Sequence, residues 1–273
     1  MTAPFTVIVL CNNSKYFCSG VVVDLLWVLT AAHCFHDLVG KLTENDSSVM
    51  IIAGTERLSD AVVDIESGKA QIRRSKRVVI YDLYSWDQNF VNDIALIELT
   101  NQFETSEWVV PAVLNGSGDS EVILVLPNSH GVEEVNWPCS SYGYGAAGNI
   151  KRQDLVVNKH CHCFEWVRSY KSPVDILRHR NIFMCDHYDS TTTKALSAGD
   201  SGSPLVCSGG LRAIGVAVFH YSIRGDCMIM NDRESVNSEY MSVFVDLCYF
   251  GEWLHSLVWS YPVLDELCAV VDY

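Results

Sequence analysis

Short apolar, β-branched runs recur from one end of this chain to the other, and they limit its fold more than any other feature. They occupy residues 7–10, 21–29, 49–53, 78–81, 94–99 and 122–126, then 155–157, 204–207, 214–219 and 241–245. Gly, Asn, Asp and Ser clusters separate them. Runs of this kind between turn residues read as strands, and many of them together read as a sandwich or barrel. Helical spacing is clearest at 249–259, where Phe250, Trp253, Leu254 and Leu257 recur on one face, with a second candidate at 163–170. No Pro/Gly/Ser linker divides the chain, so any two halves pack together. At 273 residues and 49% hydrophobic, the chain can bury a large core.

Charge and cysteines limit the partners and the compartment. The formal net charge is −14, which repels nucleic acid and anionic membranes. No apolar run is long enough for a membrane-spanning helix. Eleven cysteines and the N-x-Ser sequons at Asn12, Asn45 and Asn115 point to an oxidising, secretory environment, with the three asparagines as glycosylation candidates. The odd cysteine count leaves at least one thiol outside internal pairing. The N-terminus lacks a charged lead and a clear cleavage site, so no signal peptide is read in it.

Three motifs carry chemistry. Ser201 lies in Ser197-Ala198-Gly199-Asp200-Ser201-Gly202-Ser203-Pro204. Flanking glycines let that backbone turn sharply and aim amide N–H groups at one point, as acyl transfer requires. His33 closes Leu29-Thr30-Ala31-Ala32-His33-Cys34, just after an apolar run. Asp93 opens the strongly apolar stretch Ile94-Ala95-Leu96-Ile97. Each has an ordinary reading: a glycine turn, a strand-end histidine, a strand-start carboxylate. Their conjunction suits a nucleophile, its base, and a buried acid that orients the base. The run His160-Cys161-His162-Cys163 invites a metal reading, but no second ligand pair follows at zinc spacing, and no metal is expected.

In order and context these motifs resemble the trypsin/chymotrypsin-like serine protease family. Phe17-Cys18-Ser19-Gly20, Cys139 with Gly143-Tyr144-Gly145, and Val243-Phe244 through Cys248 to Trp253-Leu254 extend the resemblance over residues 4–258. It implies an all-β fold of two six-stranded Greek-key barrels with a C-terminal helix. The barrels would occupy roughly 1–110 and 120–248 and the helix 249–258, one protease domain over 1–258 with a tail at 259–273. It implies a secreted serine endopeptidase acting on protein or peptide substrates, with protein protease inhibitors among its partners and no cofactor. Ser201 would be the nucleophile, His33 the base and Asp93 its orienting acid, with the N–H groups of Gly199 and Ser201 as oxyanion hole. It implies disulfides Cys18–Cys34 and Cys139–Cys207, and Cys185 joined to Cys161 or Cys163. Cys11, Cys227, Cys248 and Cys268 are left without assigned partners, one new pair among them being expected.

Several positions depart from the family pattern. Ala195 stands where trypsin-like members carry a pocket-floor Asp. Val218 falls on the pocket wall and Ser242 nearby, a set that resembles the elastase-like branch and suggests small or aliphatic side chains. Ser197 replaces a cysteine that staples the pocket, Val216 and Ala217 replace a Ser and a Trp, and Ser203 replaces a Gly. Family members begin with a freed apolar N-terminus whose amine pairs with the Asp before the nucleophile, here Asp200. Met1 lies past that point, which favours a truncated sequence over an Asp200 with no amine partner. The alternative function is a non-catalytic, zymogen-like homologue acting as a binding or regulatory protein.

Overall fold

The computed structural model describes residues 3–11, 17–38, 48–84, 92–112, 124–127, 133–158, 183–186, 196–207, 210–215 and 242–258. Its first half is a closed barrel of β1 (Thr6–Cys11), β2 (Phe17–Asp24), β3 (Trp27–Thr30), β4 (Val49–Ala53), β5 (Gln71–Ile80) and β6 (Ala95–Leu99). The antiparallel order is β1-β2-β3-β6-β5-β4, closed where Ile8 of β1 faces Ile52 of β4. Alternate residues fill the interior: Val7 and Val9, Val49, Ile51 and Ala53, then Ala95, Ile97 and Leu99, with Phe35 and Phe103 among them. The intervening residues are also buried. Val21, Val23, Leu29 and Leu96 face the C-terminal elements, and Ile8 and Ile52 pack with Tyr144. Burial on both faces explains why these strands read as continuous apolar runs rather than as alternation.

The run 21–29 is two strands, not one. Asp24 Oδ1 accepts the N–H of Leu26 at 2.9 Å, and this local bond turns the chain into a hairpin. Strand β5 begins well before its expected start at residue 78. Its early residues are a polar run broken only by Ile72, and Lys76 and Arg77 pair with Glu98 on β6.

The second half contains β7 (Leu124–Pro127), β8 (Glu133–Gly143), β9 (Lys151–Asn158), β10 (Phe183–Asp186), β11 (Pro204–Cys207), β12 (Gly210–Gly215) and β13 (Val243–Asp246). Their order is β11-β12-β13-β10-β9-β8-β7, and β11 also pairs with β8. That pairing closes a ring of six, with β7 added along β8. Trp137, Val157, Met184, Leu205 and Phe244 pack in its core. Cys139–Cys207 bridges β8 to β11, and Cys18–Cys34 ties β2 to the 3₁₀ turn Ala32–Leu38; both pairs are those the resemblance implied. Helix α1 (Ala61–Glu66), absent from the sequence reading, sits in the loop between β4 and β5.

The C-terminal helix expected at 249–259 is a 3₁₀ turn, Leu247–Phe250, followed by α2 (Gly251–Leu257). Asp246 caps the turn by accepting the N–H of Cys248 at 3.0 Å, supplying one of the acceptors a helix start lacks. Leu254, Phe250 and Val258 then pack on Val21 and Leu96 of the first barrel. Tyr81 lies edge-on to Phe250 and Trp253, with ring centroids 5.0 and 5.4 Å away. The segment 247–258 thus straps the second barrel to the first. No described helix is long and apolar enough to cross a membrane.

Candidate active site

His33 and Asp93 are placed by the first barrel. Strand β3 ends at Thr30 and the chain tightens into the 3₁₀ turn that carries His33. Asp93 precedes β6, in a tight turn where Ile94 N–H bonds to the Asn92 carbonyl at 2.8 Å. Asn92 takes φ +61°, a left-handed conformation that asparagine tolerates better than most residues. Its side-chain amide donates to the Leu83 carbonyl at 3.0 Å. Because β3 and β6 are paired, Thr30 faces Ala95, and the residues just beyond these ends meet. Asp93 is fully buried and grips His33 twice: Oδ1 accepts the backbone N–H at 2.8 Å, and Oδ2 lies 2.6 Å from Nδ1. The carboxylate favours the tautomer with the proton on Nδ1, so Nε2 carries the lone pair. The phenol of Tyr84 is pushed well above its ordinary range by burial, reinforced by the charge of Asp93.

Ser201 comes from the second barrel, on the turn before β11, and is 7% exposed. Gly199 (φ +91°) and Gly202 (φ +78°) flank it in left-handed conformations. A Cβ on Gly199 would lie 2.5 Å from the Gly145 carbonyl oxygen; one on Gly202 would lie 2.2 Å from Thr30 Oγ1. Only glycine allows such close approach. The turn is stitched to the first barrel: Ser19 N–H donates to the Ser201 carbonyl at 2.8 Å. Ser19 Oγ donates to the Gly199 carbonyl at 2.7 Å, and Thr30 Oγ1 donates to the Ser19 carbonyl at 2.8 Å. Gly202 therefore abuts Thr30 and Ala31, just upstream of His33, and the three motifs meet at the seam between the barrels.

Asp200 faces the Gly143–Gly145 loop and is 4% exposed. Gly145 N–H bonds to its Oδ1 at 2.8 Å, while Ser197 gives Oδ2 its N–H at 2.8 Å and its hydroxyl at 3.0 Å. Burial raises the pKa of this carboxyl, against the pull of the Ser197 and Gly145 donors and the charge of Lys151. A Cβ on Gly143 would come within 2.1 Å of Asp200 Oδ1, which accounts for glycine there. Between the two glycines Tyr144 is buried, its hydroxyl donating to the Thr55 carbonyl at 2.7 Å, and so links the barrels. The roles of Ser19 and Ser197 were not read from sequence. Ser19 lies within the Phe17–Gly20 motif, and Ser197 stood out only as the replacement of a cysteine.

Ser242 is 3% exposed and accepts the N–H of Leu196 at 3.3 Å, which places it beside the segment leading into the Ser201 turn. Its companions Ala195 and Val218 lie outside the described residues, as do Val216, Ala217, Asn12, Asn45, Asn115, Cys161, Cys163, Cys227, Cys268, residues 163–170 and the tail 259–273. Cys185 is on β10, opposite Val243; its side chain is not among those described. Cys11 is buried, with Sγ donating to the Cys34 carbonyl at 3.4 Å. Cys248 is disulfide-bonded. Cys18, His33 and Cys34 place sulfur and ring nitrogen close together. Both sulfurs are committed to the Cys18–Cys34 bond and cannot serve as thiolate ligands.

The trypsin family model matches residues 2–229. Trypsin-1 of Salmo salar is 25% identical over 250 residues, covering 92% of this chain and 84% of its own length. Trypsin II-P29 of Gallus gallus is 23% identical over 250 residues, covering 92% and 83%. Serine protease SP24D of Anopheles gambiae is 26% identical over 215 residues, covering 78% and 65%.

Proposed function

This chain belongs to the trypsin family of serine endopeptidases, and on that premise we propose that it hydrolyses peptide bonds through an acyl-enzyme formed on Ser201. The observation that carries the proposal is the double grip of Asp93 on His33. It leaves a ring whose second nitrogen is a base, on the face of the first barrel where the Ser201 turn docks.

Nε2 of His33 takes the hydroxyl proton as Ser201 Oγ attacks the carbonyl carbon. The imidazolium that forms is stabilised by the buried Asp93 carboxylate. The N–H groups of Gly199 and Ser201 receive the developing oxyanion. His33 then returns the proton to the leaving amine, the amine departs, and water repeats the sequence to release the acid. No cofactor enters this chemistry.

The functional unit is proposed as residues 1–258, with barrels at about 1–110 and 120–248, the helix at 249–258 and a tail at 259–273. Family membership implies protein or peptide substrates and, among partners, protein protease inhibitors. Ala195, Val218 and Ser242 are proposed as pocket residues; the first lacks the carboxylate that would favour Arg or Lys, so small or aliphatic side chains are the expected preference. Homologous trypsins are mostly secreted, and two disulfides fit secretion here as well.

The test is covalent labelling of the full chain by a fluorophosphonate. Labelling that Ser201→Ala abolishes is the expected result. A folded wild-type protein that resists labelling would leave the non-catalytic homologue as the better reading.

A further inference from the structure

The proposed chemistry gives no task to Ser197, which nevertheless shapes the nucleophile turn. Asp200 sits between Gly199 and Ser201, the residues whose N–H groups are assigned to the oxyanion. Anchoring its side chain therefore restrains the peptide planes on both sides. Among the described residues, the Ser197 hydroxyl is the one side-chain donor to this carboxylate, at 3.0 Å. The same residue supplies its own N–H to Oδ2 at 2.8 Å and accepts the Asp200 N–H on its carbonyl at 2.9 Å. Gly145 on the neighbouring loop holds the other oxygen. The turn is closed by Ser197 from within.

We propose that Ser197 is a positioning residue that, through Asp200, keeps the Gly199 and Ser201 N–H groups converged on one point before substrate arrives. This rests on the acyl-transfer reading.

The physical need for such a residue follows from burial. A carboxylate this far from water tends toward its neutral form. Protonation would convert one acceptor oxygen into a donor, facing either Ser197 or Gly145, and one of those N–H groups would lose its partner. Donors aimed at the ionised form oppose that tendency, and Ser197 provides two of the three. The charge acting on the carboxylate from the neighbouring strand is Lys151 at the start of β9. The nearby phenol of Tyr144 is committed to Thr55. Ser19 restrains the next link, the Gly199 carbonyl, from the first barrel. With both ends held, the oxyanion donors need no rearrangement in the transition state, which is where preorganisation acts.

The experiment compares Ser197→Val with the near-isosteric Ser197→Thr in the full chain, so that the two differ by the hydroxyl and not by a cavity. Ser197→Val should lower kcat on a p-nitrophenyl ester about 10- to 100-fold with little change in KM, as expected when stabilisation specific to the transition state is removed. The acid limb of kcat should move to higher pH, as should the titration of the Asp200 carboxyl carbon followed by NMR. Ser197→Thr should restore most of both. A Val variant that keeps wild-type kcat, or a loss that Thr does not repair, overturns the proposal. The NMR titration needs no turnover. A wild type inert to fluorophosphonate removes the acyl-transfer reading alone, whereas an Asp200 titration that Ser197→Val leaves in place removes the role of Ser197.

Discussion

The two halves of the site are held by different kinds of force. His33 and Asp93 respectively follow and precede β3 and β6, which bury apolar residues on both faces, so packing places them and two hydrogen bonds finish the alignment. The Ser201 turn has little apolar anchorage of its own. Left-handed glycines and a chain of polar contacts through Ser19, Ser197, Asp200 and Gly145 hold it. A close-packed barrel registers a shape change as lost stability, whereas a hydrogen-bonded turn loses its geometry when a single partner moves. The first half is therefore expected to be sensitive to charge and tautomer, the second to geometry.

The strongest test of that division is Asp93→Asn. Shape is kept, but the amide favours the wrong imidazole tautomer, so turnover should fall about 10,000-fold with the fold intact. Steady-state kinetics beside a circular dichroism spectrum would show it. A variant with near-native turnover would mean that packing alone orients His33.

The next test pairs two glycine substitutions. Gly143→Ala puts a methyl group 2.1 Å from Asp200 Oδ1. The carboxylate must move and the oxyanion donors with it, so activity should drop about 100- to 1,000-fold. Gly20→Ala in the first barrel meets only side-chain ends, Val28 Cγ1 at 3.0 Å and Val7 Cγ2 and Val9 Cγ2 at 3.1 Å. It should cost about 1–3 kcal/mol of stability through overpacking and spare turnover. Comparable losses of turnover in both variants would break the comparison.

Tyr144→Phe probes the seam. Losing the hydroxyl leaves the buried Thr55 carbonyl without its donor, at a cost of about 1–2 kcal/mol. Urea denaturation should show a lower midpoint at unchanged slope. A changed slope would mean that the barrels had begun to unfold separately.

The same division governs what the sequence makes legible. Strands β4 and β11 coincide with their apolar runs, because strands buried on both faces announce themselves in composition. The hairpin at Asp24 was hidden inside one such run, since Leu25 and Leu26 in its turn are as apolar as the strands. The start of β5 and most of β8 were hidden for the opposite reason: a polar outer face or mixed residues dilute the signal. Asp93, His33 and Ser201 stood out because each closes or opens a recognisable stretch. Ser197 read only as a missing cysteine. Its hydrogen bond to Asp200 depends on the left-handed turn at Gly199, and a one-dimensional pattern does not show which donors face inward.

The smallest effect is the most discriminating in sign. Glu98, on the first barrel, has its pKa lowered: burial pushes it up, but the hydrogen bonds and charges of Lys76 and Arg77 prevail. Its stabilisation is therefore present above the ordinary glutamate range and lost as pH falls through the lowered value. Because both partners are largely exposed, it amounts to about 0.2–1 kcal/mol. Asp200 has the opposite shift, burial keeping its pKa raised. Its contribution is present below the ordinary aspartate range and is lost as pH rises through the raised value. Thermal melts across the acid range should thus give two slopes of opposite sign. The stability gap between wild type and Glu98→Gln should widen as pH rises, and the gap between wild type and Asp200→Asn should narrow. Any constant penalty from misplaced amide protons shifts the second curve without changing its slope. Two gaps that both widen would mean that the Ser197 and Gly145 donors outweigh burial at Asp200, and that the nucleophile turn is held by a carboxylate as secure as Glu98.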